Sequence, residues 1–488
     1  MAHASVTWGM QPTPLASRRG RLTLALLCLV AFLDFIDASI VNVALPTIRR
    51  DLGFSVQTLQ WVPSGYLLTY GGFMLLGGRA GDLLGRRRVL LAGTSLFALS
   101  SLIGGLAWSA GVLVAARLFQ GAGAALMLPA ALSILTTTFQ EGPDRHKALG
   151  VWGGMAGLAS AAGVFLGGVL SEGPGWRWVM FVNLPVCAIV LVAAFRLIPG
   201  ERRRSARTGF DARGAFLVTA GMLALVYTLV EAPDAGWGSL RTVGGLAGAL
   251  VLLAAFVVNE QRAKAPLAPL EIFRIDGLGA ANATQLIGIA GMVSMFFFLT
   301  LHMQGVLGYS QIQAGAAYLP LCGGVGIAAG IASQLLARTG TRPVIVAGAL
   351  LAALGIYLLS RAPVGGSYAS DLLPGLMIAS FGLGSVFVAV TTAANAGVPA
   401  DKAGLAAALL NTSQQLGAAL GLAIFSAVAT ARTNHLIAGG AGAPDALASG
   451  VQRALLACSL TIVAAALIAL RATNTRGEAA GAVGMEAA

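Results

Sequence analysis

Charged residues are scarce in this chain. Only 10% of its 488 residues are Asp, Glu, Lys or Arg, while 57% are hydrophobic. A soluble globular protein carries about 25% charged residues. The shortage of charge excludes a water-soluble fold and indicates an integral membrane protein.

Cysteine and histidine are also rare, with four residues of each. The four cysteines stand alone in or beside apolar stretches, without the paired spacing of a metal or redox centre. The chain has no serine-hydrolase elbow, zinc-binding helix or phosphate-binding loop. We therefore predict a protein that is not an enzyme and that holds no metal or cofactor.

Long apolar stretches dominate what is present. Crossing a bilayer as a helix takes about 20 apolar residues, and we find fourteen such spans, with no cleavable signal peptide before the first. Numbered in chain order, spans 1 to 14 cover residues 22–45, 57–78, 89–108, 112–137, 148–171, 178–198, 213–231, 242–259, 277–303, 314–337, 343–361, 371–393, 404–430 and 452–472.

The basic residues follow the membrane topology that these spans imply. Of the 31 Lys and Arg residues, 23 lie on the side of the N-terminus, 7 lie on the other side, and Arg117 lies within a span. Cytoplasmic segments of membrane proteins carry the excess of Lys and Arg. We predict that both termini are cytoplasmic, and that the net charge of +12 does not indicate a nucleic-acid partner.

The chain repeats itself. Residues 85–93 recur as residues 340–348, and three glycines of span 5 recur in span 13 at nearly the same offset. Span 3 thus matches span 11, which predicts two six-helix bundles in the same orientation, with spans 7 and 8 inserted between them. The predicted regions are an N-terminal cytoplasmic tail (1–21), a first bundle (22–198), a linker with the inserted spans (199–276), a second bundle (277–472) and a C-terminal cytoplasmic tail (473–488).

Two glycine pairs belong to this repeat: Gly163 and Gly167 in span 5, and Gly417 and Gly421 in span 13. Glycines four positions apart let helices approach closely. We place these four at the interface where the two bundles meet and rock. The alternative is ordinary tight packing.

Three ionisable residues lie well inside spans. They are Asp34 and Asp37 in span 1 and Arg117 in span 4. A charge near the bilayer centre costs at least about 2.5–3.5 kcal/mol, so such residues are usually functional. The two carboxylates share one helix face, and Arg117 lies at a depth that reaches Asp37. We predict that Arg117 pairs with Asp37, that Asp37 couples transport to protons, and that Asp34 is a second proton site or a substrate contact; the alternative is a structural ion pair.

Aromatic and amide side chains in the spans are candidates for a substrate cavity. Aromatic faces accept flat apolar or cationic compounds, and amides in a membrane helix face a cavity or another helix rather than lipid. The alternative for each is simple packing. The predicted cavity residues are Phe35, Tyr66, Tyr70, Gln120, Phe297, Tyr318, Asn411 and Gln415.

Several motifs resemble those of one family. The stretch from Gly78 to Arg88 resembles the helix 2–3 loop motif of the major facilitator superfamily, and Arg117–Gly123 resembles its helix 4 motif. Asp37–Pro46 resembles the helix 1 signature of the fourteen-spanner drug:proton antiporters, and Trp176–Pro185 is similar to that subfamily at the start of helix 6. In span 5, Val164 stands where the antiporter motif has Pro.

The resemblance implies an all-α integral membrane protein of the major facilitator fold. It further implies proton-coupled export of amphipathic or lipophilic drugs or antibiotics by alternating access, driven by the proton motive force without a cofactor. The expected setting is a bacterial plasma membrane, and the expected state is a monomer. The alternative is a transporter of the same fold for a physiological solute such as a lipid, siderophore or metabolite.

The loop motif also implies a gate on the cytoplasmic side. We expect Asp82 to pair with a nearby Arg or to cap a helix N-terminus, and thereby to steady the outward-facing state. The alternative is a solvated charge that only sets topology. The predicted gate residues are Gly78, Asp82, Gly85, Arg86, Arg87 and Arg88.

Overall fold

The computed structural model describes residues 15, 17–139, 143–199, 211–263, 266, 270–396, 398 and 403–475. These residues form α-helices with short π and 3-10 turns, and no strand occurs among them. The helices are α1 (Arg18–Leu52), α2 (Val56–Leu59), α3 (Trp61–Leu84), α4 (Arg86–Gly105), α5 (Ala110–Thr138), α6 (Pro143–Leu170), α7 (Arg177–Phe181), α8 (Asn183–Leu197), α9 (Ala212–Ala235), α10 (Leu240–Arg262), α11 (Leu278–Gly305), α12 (Gln311–Ala317), α13 (Leu319–Thr339), α14 (Thr341–Leu359), α15 (Leu373–Asn395), α16 (Ala403–Ala438) and α17 (Ala443–Ala469).

Every predicted span coincides with a helix or a broken helix. Span 6 is divided between α7 and α8, and span 10 between α12 and α13. Within the described ranges, 11 helical segments are long and apolar enough to cross a membrane, and α3, α6 and α9 are not among them. The figure of fourteen crossings therefore stays a prediction.

The helices run between two ends of the molecule. We call the end that holds Arg18, Gly85, Gly340 and Ala469 the terminal end, and the opposite one the far end. Gly85 separates α3 from α4 with φ +96°, and Gly340 separates α13 from α14 with φ +87°. Residues with a side chain rarely adopt such angles, so both tight turns at the terminal end require glycine.

The N-terminal half (α1–α8) and the C-terminal half (α11–α17) repeat the same packing. Helix α1 packs on α6 as α11 packs on α16, and α4 packs on α5 as α14 packs on α15. A Cβ on Gly93 would lie 2.8 Å from the carbonyl oxygen of Gly123, and one on Gly348 would lie 3.1 Å from that of Gly382. Equivalent glycines thus bring equivalent helices together in the two halves. The bounds of the five predicted regions stay predictions.

The paired glycines of α6 and α16 each contact a helix of their own half. A Cβ on Gly167 would lie 2.5 Å from the carbonyl oxygen of Ile40, and Gly163 lies against Ile36 and Ser39 on the same helix, α1. The prediction that these glycines lie between the halves is therefore wrong. The same correction applies to Gly417 and Gly421, which lie against Leu286 and Ala290 of α11.

Other small residues lie where the halves meet. A Cβ on Gly71 of α3 would come within 2.9 Å of the Cβ of Gln415 on α16. On the opposite side of the molecule, a Cβ on Gly168 would lie 2.6 Å from the carbonyl oxygen of Gln311, and one on Gly315 would lie 2.8 Å from that of Val164. Two seams, α3 with α16 and α6 with α12, thus join the halves.

The inserted pair α9 and α10 lies outside both halves. Helix α9 packs against α3 and α16, while α10 packs on α9. The hydroxyl of Thr219 donates to the carbonyl oxygen of Gly72 at 2.9 Å, which ties α9 to α3. Large apolar side chains of α10, such as Leu240 and Val251, are exposed. Exposed apolar surface of this kind suits contact with lipid.

Candidate functional site: a buried charge network

A salt bridge lies in the middle of the N-terminal half. Arg117 Nη1 on α5 donates to Asp37 Oδ2 on α1 at 2.6 Å. Both side chains are buried, with 1% and 0% of their surface exposed. Burying two charges costs free energy that close pairing and further hydrogen bonds must offset, so the surrounding donors and acceptors matter as much as the pair.

The second oxygen of Asp37 is held by two amides. Asp37 Oδ1 accepts hydrogen bonds from Gln120 Nε2 at 2.9 Å and from Asn183 Nδ2 at 2.7 Å. Both amides also donate to Ser101 Oγ, at 2.8 and 3.0 Å. Helices α1, α5 and α8 therefore meet at one carboxylate, α4 supports the two amides through Ser101, and both oxygens of Asp37 have partners in this state.

The guanidinium of Arg117 also makes hydrogen bonds and a ring contact with neighbouring groups. Its Nε donates to the carbonyl oxygen of Val62 at 3.1 Å, and its Nη1 also donates to Gln120 Oε1 at 2.7 Å. Its Cζ lies 4.4 Å from the ring centroid of Tyr66. A cation over an aromatic face is stabilised by the ring quadrupole, more strongly where water is excluded.

Asp34 is held by two tyrosines of α3. Tyr66 Oη donates to Asp34 Oδ1 at 2.7 Å, and Tyr70 Oη donates to Asp34 Oδ2 at 2.9 Å. Asp34 is 2% exposed, and the two tyrosines are equally buried. Both oxygens of this carboxylate are thus occupied by neutral phenols, whereas Asp37 faces a guanidinium.

Three of the predicted cavity residues turn out to be partners of the carboxylates. Gln120, Tyr66 and Tyr70 are buried and hydrogen-bonded to Asp37 or Asp34 in this state. The sequence holds a signal for each, because Gln120 follows Arg117 by three positions and Tyr70 follows Tyr66 by four, which places each pair on one helix face. Ser101 and Asn183 are not among the predicted site residues.

The other cavity residues lie in different surroundings. Phe297 is buried against Phe298 in an edge-to-face contact, and the hydroxyl of Tyr318 donates to the carbonyl oxygen of Phe296 at 3.0 Å. Phe35 and Asn411 are half-buried. Their roles in substrate binding stay predictions, as do the proton-coupling roles of Asp34, Asp37 and Arg117.

A cavity of about 530 Å³ lies at the far end. Both halves line it, through residues that include Arg49, Arg50, Glu172, Gln304 and Gln311. None of the predicted cavity residues lines it. Its size suits a drug-like molecule, although its lining is more polar than the aromatic set proposed from the sequence.

Hydrogen bonds join the two halves beside this cavity. Gln304 Nε2 donates to the carbonyl oxygen of Val43 at 2.9 Å, and Gln311 donates to Thr47. The exposed carboxylate of Glu172 accepts from the backbone N–H of Ile312 at 3.0 Å, and this hydrogen bond lowers the pKa of Glu172. The halves are thus fastened together at the far end.

The predicted gate residues lie at the terminal end, in the last turns of α3, at the Gly85 turn and in the first turn of α4. Arg87 donates to the carbonyl oxygen of Phe195 at 2.8 Å and lies over the ring of that residue. Gly85 forms the turn, and Arg88 is exposed. The side chain of Asp82 lies outside those that the structure describes, so its partner stays a prediction.

The sequence of this chain matches a known family of membrane transporters. The family model for the Major Facilitator Superfamily matches residues 27–422. The chain belongs to the major facilitator superfamily. The resemblance predicted from the motifs of spans 1, 2 and 4 is therefore confirmed, and the chain is a multi-pass membrane transporter rather than an enzyme.

Curated relatives within this superfamily carry names that refer to antibiotics. The chain is 39% identical over 466 residues to the cephamycin export protein of Amycolatopsis lactamdurans, covering 93% of this chain and 94% of the relative. It is also 39% identical over 420 residues to the puromycin resistance protein of Streptomyces alboniger, covering 85% and 83%. The tetracenomycin C resistance and export protein of Streptomyces glaucescens is 34% identical over 430 residues, covering 88% and 80%.

Solved structures of the superfamily share the fold. A D-xylose–proton symporter matches with a TM-score of 0.66 and 13% identity, covering 94% of this chain and 99% of the symporter. A bacterial homologue of the human lysosomal transporter Spinster, inward-facing and unoccupied, matches with a TM-score of 0.64 and 16% identity, covering 93% and 97%. At these identities the likeness establishes the major facilitator fold alone.

Proposed function

We propose that this transporter exports small lipophilic or amphipathic antibiotics in exchange for protons, by alternating access across a bacterial plasma membrane. The observation that carries the proposal is the buried network around Asp37, with Asp34 one helical turn away. Ionisable side chains inside a membrane span are costly and are usually functional. The names of the relatives supply the substrate class, since several of them export or resist antibiotics.

Asp37 is the proposed coupling residue. While Arg117 pairs with Asp37, the carboxylate stays charged and binds no proton. When the pair separates during the transport cycle, the unpaired carboxylate in its buried site favours the neutral form and takes up a proton. Reforming the pair expels that proton. Asp34 serves in this scheme as a second proton site or as the contact for a cationic substrate.

The far end is the proposed extracellular gate. The bonds that Gln304, Gln311 and Glu172 make across the halves would break when the transporter opens outward. In this proposal the chain crosses the membrane fourteen times, with both termini and the gate residues around Gly85 in the cytoplasm. It works as a monomer, and the proton motive force supplies the energy without a cofactor.

Everted vesicles whose membrane contains this transporter test the function directly. Uptake of ethidium and of puromycin is measured with and without an imposed proton gradient, together with the alkalinisation of the vesicle lumen. We expect gradient-dependent uptake of at least one compound by the wild type and its loss in Asp37→Asn. Asp51→Asn is the matched control, because Asp51 is a half-exposed acid on the same helix, paired with Arg177 outside the network.

Two results would contradict the proposal. Gradient-driven uptake that survives in Asp37→Asn/Asp34→Asn would mean that the proton travels elsewhere. Uptake of neither compound, with gradient-driven uptake of a lipid, siderophore or metabolite from a wider panel, would favour the alternative of a physiological solute.

A further inference from the structure

We propose that Tyr66 is a positioning residue that links Asp34 to the Asp37–Arg117 pair, so that neutralising Asp34 weakens the hold on Arg117. The inference deepens the proposed function, because it assigns the coupling between the two carboxylates to one side chain. Nothing in the motifs that identify the superfamily assigns this role to Tyr66.

The geometry places Tyr66 between the two sites. Its hydroxyl donates to Asp34 at 2.7 Å, and its ring face lies 4.4 Å from the Cζ of Arg117. Arg117 in turn donates to Asp37 at 2.6 Å. A continuous path of direct contacts therefore runs from one carboxylate to the other through a single aromatic ring.

The path carries an electronic effect. A phenol that donates to an ionised carboxylate makes a strong, charge-assisted hydrogen bond, and hydrogen-bonded groups polarise one another. Electron density shifts toward the ring while Asp34 is charged, and the ring face attracts the guanidinium of Arg117 more strongly. A proton or a bound cation at Asp34 removes that polarisation, so Arg117 is held less firmly and Asp37 is released more easily.

Tyr70 provides a matched comparison within the same site. It donates to the other oxygen of Asp34 at 2.9 Å and is as deeply buried as Tyr66. Its ring packs edge-on against Tyr66, with centroids 5.6 Å apart. Replacing either tyrosine by Phe removes one donor from Asp34, but only at position 66 does the lost hydroxyl belong to the ring that faces Arg117.

The titratable and charged groups around Asp37 come from several helices. Asp34 lies on the same helix, Tyr66 and Tyr70 come from α3, Arg117 comes from α5, and Cys187 of α8 lies within electrostatic range. Direct repulsion between the two carboxylates acts whether or not residue 66 carries a hydroxyl. The link through Tyr66 acts only while that hydroxyl donates to Asp34.

The first experiment needs no substrate. Infrared pH-difference spectra of the purified, reconstituted protein follow protonation of each carboxylate, with Asp34→Asn and Asp37→Asn assigning the bands. We expect Asp34→Asn to change the Asp37 band differently in the Tyr66→Phe background than in the wild type. In the Tyr70→Phe background the change should match that of the wild type.

The opposite outcomes overturn the link. An equal response of the Asp37 band to Asp34→Asn in the Tyr66→Phe background and in the wild type means that direct repulsion alone joins the two sites. Absence of any Asp37 protonation in the wild type also contradicts the proposal, since the pair is then never released.

The second experiment separates positioning from binding. In the vesicle assay with ethidium, Tyr66→Phe should lower the maximal gradient-driven rate about tenfold with KM little changed, while Tyr70→Phe should mainly raise KM. Equal effects of the two variants on rate and KM would count against the link. If no compound is moved while the infrared link is present, the proposed function fails and the role of Tyr66 stands.

Discussion

The two halves of this transporter share their packing but differ in their chemistry. The glycine contacts align them, since Gly163 and Gly167 meet Ile36 and Ile40 of α1 as Gly417 and Gly421 meet Leu286 and Ala290 of α11. By this alignment the position of Asp37 in the first half is occupied in the second by Ile287, and that of Asp34 by Thr284.

The same holds for the helix that carries the arginine. The contacts of Gly123 with α4 and of Gly382 with α14 are equivalent, and this alignment places Leu376 at the position of Arg117 and Ala379 at that of Gln120. Both residues of the second half are fully buried. The second half thus keeps the same packing without the ions, which supports the proposal that the ion network serves transport.

The largest effect is expected from placing a charge in the apolar half. Leu376→Arg buries a guanidinium where the second half offers no carboxylate at the equivalent position, which costs at least about 2.5–3.5 kcal/mol. We expect most of the folded protein to be lost, as measured by fluorescence-detected size-exclusion chromatography and the thermal unfolding midpoint. Ile287→Asp added to this variant should recover part of the loss, because it supplies the missing partner.

Leu376→Met is the control for this prediction, since it keeps the volume and should cost under about 1.5 kcal/mol. An equal loss in the Met variant would assign the effect to shape rather than charge. Full stability of Leu376→Arg would mean that the two halves are not as different as the alignment implies.

An intermediate effect is expected from glycines that make similar contacts in both halves. A Cβ on Gly121 would lie 2.1 Å from the carbonyl oxygen of Tyr66, and one on Gly384 would lie 2.3 Å from that of Val325. Gly121→Ala and Gly384→Ala should each lower stability by about 1–3 kcal/mol through overpacking. Only Gly121→Ala displaces Tyr66, so it should lower gradient-driven uptake further than its loss of stability explains.

Gly111→Ala on the same helix as Gly121 is the control, because nothing lies within 4 Å of the added Cβ. It should leave both the unfolding midpoint and the uptake rate near wild type. Equal uptake per folded molecule in Gly121→Ala and Gly384→Ala would remove the functional difference between these two helix contacts.

The smallest effect is expected where the halves meet at the far end. The N–H of Ile312 lowers the pKa of Glu172, so the stabilising contact is present above the ordinary pKa of Glu, about 4.3, and is lost as pH falls through the lowered value. Spin labels on Cys introduced at exposed Trp108 and Val364 should report a modestly longer distance below about pH 4, and Glu172→Gln should remove this pH dependence.

Asp51 is the control for this experiment, because its contacts lie within one half. Hydrogen bonds from Trp176 and Arg177 lower its pKa, but all three residues belong to the N-terminal half. Asp51→Asn should therefore leave the pH dependence of the label distance intact. If Asp51→Asn removes it and Glu172→Gln does not, the far-end contact of Glu172 does not hold the halves together.

Much of the fold could be predicted because each membrane helix corresponds to a long apolar stretch of the sequence. The glycines reveal the internal repeat, since close packing allows no side chain there. Their spacing does not show what they contact, and the predicted interface of Gly163 is therefore wrong. Spacing along a helix gives the face of a residue relative to its neighbours, but not which helix that face meets.

The candidate site shows the same limit. Asp37 and Arg117 are ions in apolar stretches of the sequence, and their similar depths predict a pair. In the sequence, Tyr66 and Tyr70 do not differ from other aromatic residues of the spans. Only the orientation of α3 about its axis in the structure shows that both donate to Asp34. Asn183 appeared in the sequence as part of a motif, without a sign that its amide reaches Asp37.

The network around Asp37 also has a consequence for how the protein is made. Asp37 lies 80 residues before Arg117 and 146 residues before Asn183. At about 5–20 residues per second, the ribosome needs roughly 7–30 s to supply the last of these partners. The first helix is therefore made before the partners of its buried acid, and Asp37 has neither Arg117 nor Asn183 to pair with until α5 and α8 arrive.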